Sequence, residues 1–155
     1  MRFRLRGIGR RVCGGVVLSA LVVVPAVAFA AALGGCGGGE TLPDLFAVRR
    51  SGSVPEAKLA IVVNDGGTVK CNGGASRRIT DSQLLEARSV STGLHDYAGR
   101  GLALPPGPQP VLSYAVRTQD GHVSFADDSR GQPAAFYRLA LLVRDIAKQD
   151  CGLAR

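Results

Sequence analysis

Few residues of this chain have the types and spacing that catalysis requires. His122 lies two positions after Asp120, and at this spacing an imidazole and a carboxylate can act together as acid and base. Asp127 follows soon after and could complete such a site. Neither His122 nor His95 stands near a Ser or Cys in the setting of an activated nucleophile. The sequence therefore favours a non-enzymatic binding protein, and an enzyme that uses His122, Asp120 and Asp127 is the alternative.

Sites for metal ions and phosphate groups are not indicated either. The neighbouring Asp127 and Asp128 lack the loop spacing and the distant Glu of a calcium-binding EF-hand. The chain has only two His, and its four Cys form no CxxC pair, which is the spacing typical of zinc sites. Asn72-Gly73-Gly74 is glycine-rich, but no Lys follows it as in a phosphate-binding loop. We therefore expect no metal ion and no cofactor.

The positive charge of the chain is concentrated at its N-terminal end. The net charge is +7, but residues 1–35 contain five Arg and no acidic residue, whereas residues 36–155 contain 14 basic and 12 acidic residues. Nucleic-acid binding requires basic charge on the folded domain itself. We therefore expect no nucleic-acid partner.

Residues 1–35 are organised like the signal peptide of a bacterial lipoprotein. A basic segment, residues 1–11, precedes an uncharged apolar run, residues 12–33. Leu33-Gly34-Gly35-Cys36 then resembles a lipobox, in which the Cys thiol receives a diacylglyceryl group and cleavage occurs before the Cys. This resemblance implies that the membrane is a partner through a lipid anchor on Cys36. Residues 36–43 are then a flexible tether, and residues 44–155 form one domain.

Two other interpretations of this N-terminal region remain open. Ala28-Phe29-Ala30 is an A-x-A site, and cleavage after Ala30 would give a secreted protein. The apolar run is also long enough to span a bilayer uncleaved, since 22 residues of helix reach about 33 Å. Each interpretation places the domain outside the cytoplasmic membrane, and the lipid anchor places it on the outer face. With 16 Arg against three Lys, the whole chain resembles small lipoproteins of high-GC, actinobacterial-type bacteria.

Two cysteines remain for the exported domain. Cys13 lies in the signal region and Cys36 is the candidate lipid site, which leaves Cys71 and Cys151. An oxidising compartment favours a disulfide between them. Two separate buried thiols are the alternative.

The hydrophobic pattern predicts two similar halves in the domain. Each half has two strands followed by an amphipathic helix: residues 58–71 precede a helix over 80–98, and residues 111–126 precede a helix over 133–151. The Gly- and Pro-rich residues 99–110 between them predict a linker or an ordered surface loop. We expect an α+β domain in which two ββα units form one antiparallel sheet, with both helices on one face, after an N-terminal signal helix. Chance similarity between two hairpins is the alternative to a repeat.

An additional short strand, residues 45–48, precedes the first half. Arg49, Arg50, Ser51 and Gly52 are predicted to end it in an exposed turn. This order of elements and the turn resemble the emfourin-type inhibitors of secreted metalloproteases, which are also small ββαββα domains. The resemblance implies that these four residues contact an envelope partner and that this partner is a protease.

A double substitution tests that interpretation of the turn. If the turn only contacts the partner, Arg50→Ala with Gly52→Ala weakens binding and leaves Tm nearly unchanged, because exposed turns contribute little to the core. If the backbone of the turn requires Gly52, stability and binding fall together.

Overall fold

The computed structural model describes residues 43–153. The predicted signal peptide (1–35), Cys36 and all but the last residue of the predicted tether (36–43) lie outside the described residues. Within the described residues, no helix combines the length and the apolar character needed to cross a membrane.

The described residues form one antiparallel sheet and two helices. The elements follow the order β1 (Asp44–Gly52), β2 (Leu59–Asn64), β3 (Thr68–Cys71), β4 (Ser76–Arg78), α1 (Asp81–Gly99), β5 (Leu112–Arg117), β6 (His122–Ala126) and α2 (Ala134–Gln149). Neighbouring strands pair in the order β4-β3-β2-β1-β5-β6. The predicted α+β class is confirmed. The three-residue strand β4, which pairs with β3, was not expected from the sequence.

One core lies between the sheet and the helices. Side chains alternate between the two faces of a strand, and the strand residues at every second position are buried against α1 and α2. In β5, for example, Tyr114 and Val116 are buried and Ala115 between them is exposed. The buried strand side chains are Phe46, Val48, Leu59, Ile61, Val63, Val69, Tyr114, Val116, Val123 and Phe125.

The two helices begin where the sequence predicted. At the start of α1, the Gln83 amide donates to Thr80 Oγ1 and the Thr80 amide donates to Gln83 Oε1, which completes a capping box. The core-facing side of α2 includes Phe136, Leu139 and Val143, at the 3.6-residue period of an amphipathic helix. Both helices therefore turn one apolar side to the same face of the sheet.

β1 is the central strand and is longer than predicted. Its residues Arg49 to Gly52 do not form a turn, because all four continue the ladder with β5 and the first two also pair with β2. Arg50, for instance, faces Leu59 on one side and Tyr114 on the other. The exposed turn predicted for these residues is therefore wrong. The chain leaves the sheet only after Gly52.

Cys71 and Cys151 lie at disulfide distance. Cys71 is the last residue of β3, Cys151 follows α2, and their Cα atoms are 5.7 Å apart. This confirms the predicted proximity of the two residues. The disulfide joins the end of β3 to the end of α2, and the two cysteines are 80 positions apart in the chain.

Candidate functional site

The sheet face that points away from the helices carries small side chains at its centre. They belong to the strand residues that lie between the buried positions and face away from the core, and none of the described helices covers them. Their small size leaves a groove of about 650 Å³ across β1, β2, β5 and β6. The small residues that line it are Ser51, Ala60, Ser113, Ala115, Ser124 and Ala126.

The core side of the same strands supports the floor of this groove. The Tyr114 ring stacks on Phe125 with 4.9 Å between ring centroids, and Phe125 stacks on Phe136 of α2 at 4.7 Å. Tyr97 of α1 meets Phe136 edge-on. Offset and edge-on aromatic contacts stabilise packing beyond simple burial. Burial raises the pKa of Tyr114 above its ordinary value, against the lowering effect of Arg50.

One wall of the groove comes from the loop of residues 101–111. Leu104 and Pro106 line the groove. The loop begins with an isolated parallel bridge to β6 at Ala103 and Ser124, in which the Ser124 amide donates to the Leu102 carbonyl and the Leu104 amide donates to the Ser124 carbonyl. Of the two interpretations left open for residues 99–110, the ordered surface loop is therefore correct.

Asp127 and Asp128 hold the rest of this loop. Asp128 accepts hydrogen bonds from the Gly107 and Gln109 amides, both at 2.8 Å. Asp127 accepts from the amides of Val111 and Leu112, both at 3.1 Å. The carboxylates thus accept the hydrogen bonds that backbone carbonyls of a neighbouring strand would otherwise accept from these amides. Asp127 thus holds the end of the loop through these two backbone amides.

The groove has a cationic rim. Arg49 projects from β1 between Ala60 and Ala115, the residues opposite it on the two neighbouring strands. Lys58 lines the groove at the start of β2. Arg49 and Lys58 are both exposed. Neither side chain forms a hydrogen bond or an ion pair with another residue in the described range 43–153.

The four residues predicted to contact a partner divide between the two faces. Arg49 and Ser51 lie on the open face and line the groove. Arg50 points to the other side and is only 3% exposed. A Cβ atom at Gly52 would lie 2.1 Å from the Val111 carbonyl oxygen, so Gly52 is required by the close approach of β1 and the segment before β5.

Arg50 instead shapes the loop of residues 53–58. Its Nε donates to the Ala57 carbonyl at 3.0 Å, and its Nη2 donates to the Glu56 carbonyl at 2.9 Å. Glu56 has a positive φ of 61°, which is unfavourable for a residue with a side chain. The buried guanidinium therefore holds a strained loop next to the groove.

The residues of the alternative catalytic site do not converge. The Asp120 carboxylate lies 3.0 Å from Nδ1 of His95, in α1, rather than pairing with His122. Both side chains are substantially exposed, and the shallow cavity beside them, about 420 Å³, is not lined by His122 or Asp127. Among residues 43–153 no group of three or more potential metal ligands is found.

The sequence pattern alone contained a signal for the groove. Arg49, Ser51, Ala60, Ser113 and Ala115 occupy the polar or small positions of alternating strands. Such positions normally face solvent, so their convergence on one groove becomes visible only when the strand order is known. Compared with protein-family models, curated proteins and solved structures, the chain matches none of them.

Proposed function

We propose that this protein is a non-enzymatic binding module, attached to the outer face of the bacterial cytoplasmic membrane by a lipid on Cys36. The open face of the sheet is its binding surface, and an envelope protein is its partner. The observation that carries this proposal is the groove of about 650 Å³ on that face, at whose rim Arg49 and Lys58 pair with no other residue of the described range. A concave, partly apolar site with a few polar groups is typical of binding sites.

Three features of the described domain support a binding role over an enzymatic one. The floor of the groove consists of small side chains that carry no acid, base or strong nucleophile beyond Ser hydroxyls. The two histidines do not line it. Asp127, which the enzymatic alternative requires, is occupied by two backbone amides.

Site-specific photo-crosslinking in living cells tests the proposal. A photoreactive amino acid replaces Ala115, which is exposed in the groove, in the full-length protein. We expect it to form a discrete adduct with one or a few envelope proteins. The matched control is Leu85, which is 66% exposed on α1, and it should not form that adduct. The proposal fails if both positions give the same adducts, or if neither gives one.

Inhibition of a secreted metalloprotease is a second candidate function, and the loop 53–58 favours it. Protease inhibitors present a rigid exposed segment, and here Arg50 fixes Glu56 and Ala57 in place. Together with the emfourin-like order of elements, this loop is the segment that we expect to meet a protease. Titration of a thermolysin-type enzyme with the full-length protein tests it. Undiminished proteolysis at a molar excess of this protein would refute inhibition of that class.

A further inference from the structure

The open face of the sheet differs from the rest of the described domain in its charge. The six strands contain six Arg or Lys residues and a single acid, Asp44, whereas the two helices contain four of each sign. Residues 43–153 as a whole have 13 basic and 11 acidic residues, so the domain is nearly neutral. Within residues 43–153, the excess positive charge is thus a property of the sheet rather than of the domain as a whole.

Four of these cations lie on the open face itself, and Lys58, directly before β2, adds a fifth. The strand register places Arg49, Lys70, Arg78 and Arg117 on the side away from the core, and Lys58 lies at the groove. Three ion pairs each involve a helix residue: Arg88 with Asp65, His95 with Asp120, and Arg138 with Glu86. The open face therefore has cations that its own domain does not neutralise.

The acids that follow β6, Asp127 and Asp128, do not compensate for this charge by ion pairing. Asp127 and Asp128 each accept two backbone N–H bonds from the loop wall. Asp44 lies at the opposite end of β1 and accepts a hydrogen bond from Asn64. Arg49 and Lys58 consequently remain available to a ligand carboxylate.

The shape of the groove distinguishes a polypeptide from a lipid surface. Proteins bind a bilayer surface through flat or convex faces, often with protruding aromatic residues. None of the residues lining the groove is an exposed Tyr or Trp. The groove is concave, its floor consists of small side chains such as Ser51 and Ala115, and Leu104 and Pro106 form an apolar wall. The groove has room for one bulky apolar side chain of a ligand, with ligand carboxylates on either side of that side chain.

We infer that the groove binds an acidic polypeptide segment of the partner, in which a bulky apolar side chain enters between Ser113, Ala115 and Leu104 and neighbouring carboxylates pair with Arg49 and Lys58. This inference rests on the proposed function and specifies the chemistry of the partner. Complementary charge steers association and fixes orientation, while the buried apolar side chain supplies most of the affinity.

Selection from a random peptide display library tests the inference. The full-length lipoprotein is reconstituted in phosphatidylcholine nanodiscs, and the selected peptides are expected to contain Asp or Glu on both sides of one Phe, Leu, Ile or Trp. Their affinity should fall at least about tenfold in Arg49→Glu and in Ala115→Arg, and it should fall with rising salt concentration. Arg117→Glu changes the charge of the same face outside the groove and should have a much smaller effect.

Three results would overturn the inference. The first is a selection that enriches no peptides, or peptides without acidic residues. The second is equal loss of affinity in Arg49→Glu and Arg117→Glu, with unchanged thermal melts, because the groove would then have no special role. The third is loss of peptide binding in phosphatidylglycerol nanodiscs, which would assign the face to anionic lipid. A positive crosslink at Ala115 combined with any of these would leave the binding role intact and reject only the acidic segment.

Discussion

Arg50 shows how a charged residue can belong to the core of a small domain. Its guanidinium is buried and donates to two carbonyl groups of the loop that follows β1. In the sequence, Arg50 stands in a run of polar residues with a Gly, a pattern typical of turns. Only its place in a central strand, paired on both sides, makes it point inward.

We therefore expect Arg50→Ala to destabilise the protein strongly. The substitution leaves the Glu56 and Ala57 carbonyls without their charged donor and creates a cavity, at a cost of about 2–4 kcal/mol. Chemical denaturation of the purified protein measures this change. Arg49→Ala is the matched control, since the neighbouring exposed Arg49 should change stability by less than about 0.5 kcal/mol. Equal effects of the two substitutions would contradict the structure.

Asp150 provides a pH-dependent contribution to stability. Burial raises the pKa of Asp150 above its ordinary 3.8, the hydrogen bond from Gln83 opposes this, and nearby Asp145 adds to it. An acid with a raised pKa holds its proton more tightly in the folded state, so stability falls as pH rises from about 3.8 through the raised value. The ionised Asp150 is thus unfavourable at neutral pH.

Asp150→Asn should consequently have a Tm at pH 7 equal to or higher than that of the unsubstituted protein. This difference in Tm should shrink as pH approaches 3.8. An Asn oxygen can still accept from Gln83, and the Arg77 bond goes to the Asp150 backbone carbonyl, which remains. Thermal melts across this pH range measure the effect. In a protein that already has Asp145→Asn, Asp150→Asn should raise Tm at pH 7 by a smaller amount, because the repulsion between the two carboxylates is already removed. A clear loss of Tm at pH 7 would show that the charge stabilises the fold.

At the scale of elements, strands and helices with a clear period were predictable and the loop between the halves was less so. The capping box of α1 and the apolar face of α2 are local patterns, and the structure has both. Pro and Gly in residues 99–110 exclude regular structure but do not decide between a linker and an ordered loop. That decision comes from Asp127 and Asp128, which are distant in sequence from the amides that they bind.

Asp128→Ala should release the wall of the groove without unfolding the domain. The Gly107 and Gln109 amides lose their acceptor, so their hydrogen exchange should accelerate by about tenfold or more, which corresponds to about 1.4 kcal/mol. Gly107→Ala should act in the same way, because a Cβ there would lie 2.5 Å from the Asp128 carbonyl oxygen. Arg130→Ala, an exposed neighbour, is the control. Unchanged exchange in Asp128→Ala would show that other contacts hold the loop.

The disulfide joins the sheet to the last helix and should contribute measurably to stability. Replacing Cys71 and Cys151 by Ser removes a crosslink across 80 positions, with an expected loss of roughly 2–4 kcal/mol. Denaturation of the oxidised protein, of the reduced protein and of the double variant measures it. The reduced protein and the double variant should agree. A double variant as stable as the oxidised protein would show that packing alone holds α2 in place.

At the scale of the whole molecule, charge is separated between the two layers in a way that composition conceals. The net charge of the chain suggests a basic protein, yet most of it lies in residues 1–35, outside the described domain. The near-neutral domain still has a cationic face, because acids are placed in helices and turns and most strand cations point outward. Counting charges could not show this, since the separation depends on strand register.

The attachment of the molecule is the property on which the proposed role most depends. A lipid on Cys36 would place the domain on a tether of residues 36–43, which reaches no more than about 25 Å when extended. Two or more acyl chains, at about 0.8 kcal/mol for each buried CH₂ group, would hold the protein stably at the membrane.

Cys36→Ser should therefore move the protein from the membrane fraction to the medium or leave its precursor uncut, while the domain keeps its thermal melt. Fractionation and mass spectrometry of the mature N-terminus measure this. The variant must also lose the Ala115 crosslinks to membrane partners, since release removes the domain from their reach. An unmodified N-terminus at Ala31 in the unsubstituted protein would instead establish secretion after Ala30, and the binding face would then serve a partner beyond the membrane.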